Sequence, residues 1–382
     1  MRYAIVTETY PPEVNGVALT VQALERGLRE RGHEVALVRP RQVAAPAPGP
    51  GETLVRGLSL PRYPGLLAGL PATRQLLAAW TASRPDALYV ATEGPLGWSA
   101  LRAARRLGIP VATGFHTRFD EYMRDYGLPW LEPVALRWMR HFHNRGVATL
   151  VPTRELRDTL ASSGFRHPRL LPRAVDTVLF DPARRDGTWR AGLGAGESAP
   201  LVIHVGRISA EKNLALAVRA FRALQAQCPG ARYAWVGDGP LLPALRREHP
   251  DFTFMGVQRG EALARLFASA DLFLFPSRTE TFGNVTLEAM ASGVPVVAFD
   301  YGAAREHLHD GAHGAAIPFD DDAGFVAAAV RIGSDAALAR RMGDAARASV
   351  LHLSPAQVAA DFDALLADIA HRGHGHVDRA AA

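Results

Sequence analysis

The sequence predicts an α/β protein built from two doubly wound, Rossmann-like domains that face each other across a cleft. Short apolar runs alternate with stretches of helical periodicity along nearly the whole chain, a pattern typical of parallel sheets covered by helices. The alternation starts again in the second half, and 382 residues are enough for two separate cores. We therefore place an N-terminal domain at residues 1–178, a C-terminal domain at 179–370 and a flexible tail at 371–382.

In the first domain, apolar runs predict strands at 3–7, 35–38, 86–90 and 111–115. The first strand is followed by a loop with two prolines, which ends at Asn15 and Gly16. Gly16 would let a ligand approach the backbone closely before the next helix begins. The loop lacks the Gly-x-Gly-x-x-Gly spacing, so it gives little support to a dinucleotide site.

In the second domain, strands are predicted at 201–205, 233–236, 252–257, 272–275 and 294–299. Apolar residues at helical spacing follow the first of these strands from Leu214 onward. After Gly314 we expect only helices.

The composition is that of a globular protein, with 48% hydrophobic residues. Cys228 is the single cysteine, which excludes an internal disulfide and a cysteine-based metal cluster. No apolar run is long enough to cross a bilayer, and the first residues lead directly into a strand. We predict a cytoplasmic protein.

Charge is distributed unevenly, with a net charge of about +8 in residues 1–178 and about −3 in 179–382. No nucleic-acid motif accompanies the basic half, so we expect no nucleic-acid partner. The basic half would contact the inner face of an anionic membrane. An ordinary solvated surface explains the charge equally well. Only one of the 43 basic residues, Lys212, is a lysine, which suggests a position that needs a compact ammonium group.

The stretch 277–293 carries the strongest functional signal, because it links a buried strand to a helix and contains Glu280 and Glu288. Its sequence predicts a helix start that Asn284 can cap. Free backbone amides at such a start, together with the helix dipole, attract phosphate. Two carboxylates beside an anion site are suited to a ligand that also carries hydroxyl groups, such as a sugar or ribose.

Two further strand ends carry candidate site residues. Arg207 and Lys212 lie in one strand-to-helix loop, where two cations could clamp a diphosphate. His116 follows the strand at 111–115, at the kind of edge where open α/β sheets bind ligands. Alternatively, His116 is a structural histidine bonded to backbone groups.

The string from Glu280 to Glu288, followed by Glu-Ala-Met-Ala-Ser-Gly-Val-Pro-Val-Val, closely resembles the signature of the retaining glycosyltransferases of GT-B fold in family four. The His-Thr and Phe-Asp-x-Tyr pattern from His116 resembles the subgroup with bacterial mannosyltransferases and sulfoquinovosyl-diacylglycerol synthases. The chain departs from the family at Ala174 and Ala303, where glycine is usual.

The resemblance implies a role for each candidate residue in binding a nucleoside diphosphate sugar. Glu280 and His116 would lie beside the donor sugar, Gly16 against the diphosphate, and Arg207 and Lys212 on the leaving group. Glu288 would contact the ribose, and Gly256 and Val257 the base. The sugar and the phosphates would be contacted by four consecutive residues, Phe282, Gly283, Asn284 and Val285.

We therefore predict a retaining hexosyltransferase that needs neither metal nor cofactor and transfers mannose from GDP-mannose to a lipid or glycan acceptor. The first alternative is a UDP-sugar-dependent diacylglycerol glycosyltransferase of glucosyl, glucuronosyl or sulfoquinovosyl type. A nucleotide-sugar epimerase, which would turn over donor without acceptor, and a protein that only binds nucleotide are alternatives of other classes.

Two cofactor-dependent alternatives fit the sequence less well. Asp320 to Asp322 and Asp361 to Asp363 both match Asp-x-Asp, the pattern of metal-dependent transferases, but the first is expected to cap a helix and the second to lie inside one. Lys212 could form a Schiff base with pyridoxal phosphate, but Arg207 and Asn213 beside it are better suited to a diphosphate.

Overall fold

The computed structural model describes residues 1–13, 15–42, 49, 51–59, 67–116, 132–196, 199–280 and 282–380, with side chains described as far as residue 372. The chain divides into two compact units: unit 1 is residues 1–174 with 355–382, and unit 2 is residues 175–354. The stretch 355–370, which we had placed in the C-terminal domain, therefore belongs to unit 1. The last helix continues to Ala380, where we had predicted a flexible tail, and residues 381–382 lie outside the described residues.

Unit 1 contains a sheet of seven parallel strands in the order β3-β2-β1-β6-β7-β8-β9. Its strands are β1 (Arg2–Val6), β2 (Glu34–Pro40), β3 (Glu52–Val55), β6 (Ala87–Val90), β7 (Val111–Gly114), β8 (Ala148–Val151) and β9 (Pro168–Leu170). Two short strands, β4 (Gly57–Ser59) and β5 (Leu67–Gly69), pair antiparallel beside it. The described helices are α1 (Gly16–Glu30), α2 (Thr73–Ala82), α3 (Pro95–Leu107), α4 (Glu132–His143), α5 (Arg154–Ser162) and, at the end of the chain, α14 (Pro355–Ala380).

Unit 2 contains six parallel strands in the order β12-β11-β10-β13-β14-β15. They are β10 (Leu201–Val205), β11 (Arg232–Val236), β12 (Thr253–Gly256), β13 (Leu272–Phe275), β14 (Val296–Phe299) and β15 (Gly314–Ile317). The helices are α6 (Gly187–Gly192), α7 (Leu214–Gln227), α8 (Leu242–Glu248), α9 (Gly260–Ser269), α10 (Asn284–Ala291), α11 (Ala303–His307), α12 (Asp322–Gly333) and α13 (Ala336–Val350).

The expectation that only helices follow Gly314 is wrong, because β15 begins at that residue. The strand is only four residues, Gly-Ala-Ala-Ile, and Ile317 is the single β-branched or aromatic residue in it, so little in the sequence marks a strand. Pairing with β14 at the edge of the sheet makes it a strand. The expected cap is confirmed, since the side chain of Asp321 accepts a hydrogen bond from Gly324 N at the start of α12.

Both faces of each sheet are buried, as the near-continuous apolar strands predict. In β1, Tyr3 and Ile5 pack into one apolar cluster, whereas Ala4 and Val6 pack into the cluster on the opposite face. The first cluster contains residues of α1 and α14, and the second contains residues of α2 and α3. The doubly wound architecture is therefore confirmed in unit 1, and unit 2 has the same arrangement.

The strand order reverses once in each sheet, and this point determines where loops can converge. In unit 1 the reversal lies between β1 and β6, and in unit 2 it lies between β10 and β13. The loops that follow two such neighbouring strands lead to helices on opposite faces, which leaves a crevice at the carboxyl ends of the strands.

Helix α14 is an integral part of unit 1. Phe362 is fully buried with its ring 5.0 Å from that of Tyr89 under the sheet. Asp363, predicted to lie inside a helix, accepts hydrogen bonds from Tyr3 and from Arg31. None of the described helices combines the length and apolar character needed to cross a bilayer.

The contact between α1 and α14 requires a glycine, and this gives a test of the assignment of α14. A Cβ added at Gly27 would lie 2.4 Å from Cβ of Ala359. Overpacking costs about 1–3 kcal/mol, and the better helix propensity of alanine returns at most about 1 kcal/mol. We expect Gly27→Ala to lower the free energy of unfolding by about 1 kcal/mol in denaturant titrations. The matched control is Gly187→Ala in α6, where a Cβ meets nothing within 4 Å, and equal stability of the two variants would contradict the assignment.

Candidate active site

Two charged side chains meet where the strand order of unit 2 reverses. Lys212 lies in the loop after β10 and Glu280 in the loop after β13, and Nζ of Lys212 donates to Oε1 of Glu280. Only 14% and 17% of their side-chain surfaces are exposed. The hydroxyl of Ser277 donates a second hydrogen bond of 2.9 Å to the same carboxylate oxygen. The pair therefore occupies the position where open α/β sheets bind ligands.

Short-range bonds fix the loop that carries Lys212. Ala210–Lys212 form a 3₁₀ turn, and Asn213 then adopts a left-handed conformation with φ of 52° before α7 begins. The amide of Arg278 donates to the carbonyl of Glu211 at 3.0 Å, which joins this loop to that of Glu280. Nδ2 of Asn213 is buried and has no hydrogen-bond partner among the described residues. An unsatisfied buried donor is costly unless a ligand binds it.

The loop of Glu280 is held from the other side by the loop after β14. The hydroxyl of Tyr301 accepts from the backbone N–H of Glu280 at 3.0 Å and donates to its carbonyl oxygen. The amide of Ala303 donates to the carbonyl of Phe282 at 2.7 Å. A Cβ at Gly302, which has a φ of 57°, would lie 2.7 Å from that same carbonyl, so only glycine permits the contact. No local sequence signal marks Tyr301 as a residue that supports the site.

The predicted cap of α10 is wrong by one residue. Gly283 is the cap, with a left-handed φ of 91°, and Asn284 is the first helical residue without a side-chain capping bond. Glycine adopts a left-handed conformation without steric cost, so the chain can enter the helix at Gly283, one residue before Asn284. The amides of Phe282, Gly283 and Asn284 donate to no described residue. They form, as predicted, a positively polarised helix start suited to an anion.

Glu288 lies one turn further along α10 and is half-buried. Burial raises the pKa of its carboxyl to about 7, and the described residues offer it no hydrogen-bond partner. Since the folded chain binds this proton more tightly than the unfolded chain, the resulting stabilisation is complete below pH 4.5 and is lost as the pH rises through about 7. Such a carboxylate would gain from hydroxyl donors supplied by a ligand.

The other predicted residues of unit 2 lie on neighbouring strand ends. Arg207 is exposed directly after β10 and makes no ion pair with a described residue. The loop after β11 packs tightly on this segment, since a Cβ at Gly237 would lie 1.9 Å from the carbonyl oxygen of Gly206. Gly256, with a φ of 64°, ends β12, the edge strand, and the exposed Val257 follows it. Val285 lies in α10 and packs on the unit 2 core.

In unit 1, the loop after β1 is ordered around Asn15. Its side chain caps α1 by accepting from Ala18 N at 2.8 Å, and Gly16 is the first residue of that helix. Glu8, in the same loop, accepts from Leu96 N at the start of α3 at 2.8 Å. Burial raises the pKa of Glu8 to about 7 despite this hydrogen bond. Glu8 is not among the predicted site residues, although its place directly after the first strand is a signal that the sequence contains.

His116 is buried after β7, and side chains occupy both of its ring nitrogens. Nη2 of Arg173 lies 2.6 Å from Nδ1, and the hydroxyl of Tyr89 lies 2.6 Å from Nε2. A guanidinium only donates, so Nδ1 accepts and Nε2 carries the proton. Burial, together with the charge of Arg173 and the nearby His143, holds the pKa of His116 well below its ordinary value. The imidazole is therefore neutral, and its partners are side chains rather than the backbone groups considered above.

Arg173 is the most informative residue that the sequence analysis missed. It is 8% exposed, and its guanidinium has no carboxylate partner among the described residues. Burial of such a cation normally requires a compensating charge. Arg173 directly precedes Ala174, where we had noted a departure from the family pattern, but the partner His116 is distant in sequence.

The predicted site residues fall into two groups. Contacts join Lys212 and Glu280 beside the helix start of α10, whereas Gly16 and His116 lie in unit 1, each with the neighbours described above. In α4, His143 is buried and bonds Glu93, whereas His141 is exposed. Among the described residues no group of three or more His, Cys, Asp and Glu side chains could hold a metal ion.

Two family models match the chain. Residues 199–335 match the model described as Glycosyl transferases group 1, and residues 14–179 match the model described as Glycosyltransferase Family 4. Together they cover parts of both sheets and include Lys212, Glu280, Gly16 and His116.

Known proteins resemble the chain over most of its length. A GDP-mannose-dependent alpha-mannosyltransferase of Mycolicibacterium smegmatis is 34% identical over 359 residues, which cover 92% of this chain and 93% of that protein. Sulfoquinovosyl transferase SQD2 of Arabidopsis thaliana is 33% identical over 306 residues, covering 78% of this chain and 59% of that protein. Sucrose-phosphate synthase from Thermosynechococcus elongatus has the same fold, with a TM-score of 0.76 at 21% identity over 96% of this chain and 98% of that structure.

The charge on Arg173 should control the titration of His116. We expect the pKa of His116, followed by NMR on histidine-labelled protein, to rise in Arg173→Met, because the neighbouring positive charge is removed while burial remains. Arg173→Lys keeps the charge and should leave the pKa low. The exposed Arg166→Met is the matched control. If Arg173→Met and the wild type titrate alike, the charge on Arg173 does not determine the protonation of His116.

Proposed function

This chain belongs to glycosyltransferase family 4 and has the GT-B fold, as the sequence resemblance predicted, and we propose that it transfers mannose from GDP-mannose to a lipid or glycan acceptor. In the proposed reaction the anomeric configuration is retained and no metal ion takes part. The observation that carries this proposal is the Lys212–Glu280 pair at the strand reversal of unit 2, beside the free amides that start α10.

The cationic groups would stabilise the leaving group. As the bond from sugar to diphosphate stretches, negative charge grows on the outer phosphate. Lys212, Arg207 and the amides of Phe282 to Asn284 are the donors suited to hold that charge. Because the Lys212 and Glu280 loops are tied together in advance, these donors would need little rearrangement when the charge develops.

The carboxylates would orient the donor. Glu280 is bound by Lys212 and Ser277, so we assign it to positioning sugar hydroxyls rather than to covalent attack. Glu288 would accept hydrogen bonds from the ribose hydroxyls. No described residue donates a hydrogen bond to its carboxylate, so the ribose would supply the missing donors. Gly256 and Val257 would contact the base.

Retention without an enzymatic nucleophile would follow from reaction on one face of the sugar. The bond to the departing diphosphate breaks while the acceptor oxygen bonds the anomeric carbon from the same side, and the acceptor proton passes to the leaving phosphate oxygen. We further propose that Gly16 approaches the diphosphate and His116 the donor sugar. A hydroxyl could bond the His116 ring only by displacing Tyr89 or Arg173.

A second candidate is a UDP-sugar-dependent diacylglycerol glycosyltransferase. The basic character of residues 1–178 favours it, since a lipid acceptor requires contact with a membrane, and anionic lipids attract arginine. The likeness to a sulfoquinovosyl transferase supports the same reading. In either case we propose peripheral contact with an anionic membrane surface.

Measurement of nucleotide release from GDP-mannose and from UDP-sugars, with lipid acceptors and EDTA present, tests the proposal directly. We expect GDP-mannose to be consumed only when acceptor is present and EDTA to have no effect. Preference for a UDP-sugar would favour the second candidate. Conversion of the donor to its epimer without acceptor and without nucleotide release, followed by NMR, would point to an epimerase. Loss of activity with EDTA would overturn metal independence.

Replacement of either member of the ion pair should stop transfer while the fold persists. We expect Lys212→Ala and Glu280→Ala each to lower kcat by about 10²–10³-fold, the usual cost of losing one group that stabilises developing charge. Circular dichroism would check the fold, and the exposed Arg340→Ala in α13 serves as the control. Near-normal turnover in both variants would rule out this pair as the site.

A further inference from the structure

A basic cavity lies on unit 1, between α3 and the end of α4. Its volume is about 410 Å³, and it is lined by Trp98, Arg102, Arg105, Arg106 and Arg145. We call it the arginine pocket. Four guanidinium groups around one cavity are a concentration of positive charge that no predicted site residue accounts for.

The pocket arginines have no carboxylate partner among the described residues. Arg145 bonds only His141, and the other three make no side-chain hydrogen bond with the described part of the chain. Elsewhere, exposed arginines commonly form ion pairs, as do Arg2 with Glu34 and Arg222 with Asp251. Like charges held together without counter-ions repel each other, so the pocket would gain from an anion.

The end of α3 does not by itself explain these arginines. Cations are common in the last turn of a helix because they satisfy its free carbonyls. Here the side chain of Arg84 donates to the carbonyls of Leu107 and Gly108. The backbone amides of Gly108 and Ile109 donate to the carbonyls of Ala104 and Arg105. The carbonyls of Ala104, Arg105, Leu107 and Gly108 therefore have partners, and the side chains of Arg105 and Arg106 remain available to a ligand.

An aromatic rim borders the pocket. The guanidinium of Arg145 lies over the Trp98 ring at 4.5 Å, and the Trp98 ring lies 5.1 Å from that of Trp138. Trp138 is 41% exposed, and Val134, one turn earlier on α4, is 62% exposed. Tryptophan beside arginine is typical of protein surfaces at the level of lipid headgroups.

We propose that the arginine pocket binds a phosphate-bearing anion, either the headgroup of an anionic phospholipid or a soluble phosphate ester. Guanidinium forks match phosphate oxygens in pairs, and several of them can share one phosphate. Where the source is a lipid, the inference rests on the proposed membrane contact and assigns it to named residues. Arg102, Arg105 and Arg106 lie about 10–17 Å along α3 from its start, so these arginines are separate from the loops at the strand ends.

Vesicle sedimentation with purified protein tests the proposal without any sugar donor, so its result does not depend on transfer. The pocket variant is Arg102→Ala/Arg105→Ala/Arg106→Ala. The control, Arg331→Ala/Arg340→Ala/Arg341→Ala, removes the same charge from exposed helical positions of unit 2. Melting curves would confirm that both variants fold.

With vesicles of phosphatidylcholine and phosphatidylglycerol at low salt, we expect the pocket variant to bind about tenfold or more weakly, since three arginines attracted to the anionic surface are removed. The control should bind within about twofold of the wild type. Glycerol 3-phosphate and inorganic phosphate, measured by calorimetry, form the second arm. If the wild type binds these two small phosphates but not the vesicles, and the pocket variant binds neither, the ligand is a soluble phosphate ester. Equal losses in both variants, or no binding in either arm, would overturn the proposal.

Discussion

The contact between Lys212 and Glu280 is the interaction on which the candidate site depends. The two residues are far apart in sequence and meet only because β10 and β13 are neighbours at the strand reversal of unit 2. Each is mostly buried, and either charge alone would be costly there. Their pairing, with the Glu211 to Arg278 backbone bond, fixes two loops together before any ligand arrives. A site whose donors are already in place is suited to stabilising charge that develops during a reaction.

Unit 1 shows a different use of buried charge. Arg173 fixes His116 as a neutral imidazole with its proton on Nε2, so this histidine is poorly suited to accept a proton. In unit 2, by contrast, Glu288 has a pKa of about 7 and lacks a partner among the described residues. Burial therefore favours the neutral form of both groups.

The sequence predicted what depends on neighbouring residues and missed what depends on distant ones. Nine of the strands, the loops of Arg207, Lys212 and Glu280, and the helical position of Asp363 follow from local periodicity. The predicted cap of α10 was off by one residue. The preference for asparagine at helix caps points to Asn284, but Gly283 adopts the left-handed conformation and is the cap. The roles of Tyr301 and Arg173 could not be seen, since each depends on a partner brought near by the fold. β15 was missed because only pairing with β14 makes it a strand.

The return of α14 to unit 1 makes unit 2 an insertion within a discontinuous first domain. The chain passes between the units twice, near residues 174 and 354, so no single cut separates the two halves. A gene fragment that stopped at residue 354 would encode unit 2 entirely but deprive the first sheet of Phe362 and its neighbours. Recombination between relatives that aims to exchange donor specificity must therefore splice at both crossings. Any hybrid must keep the last helix from the same parent as the first 174 residues.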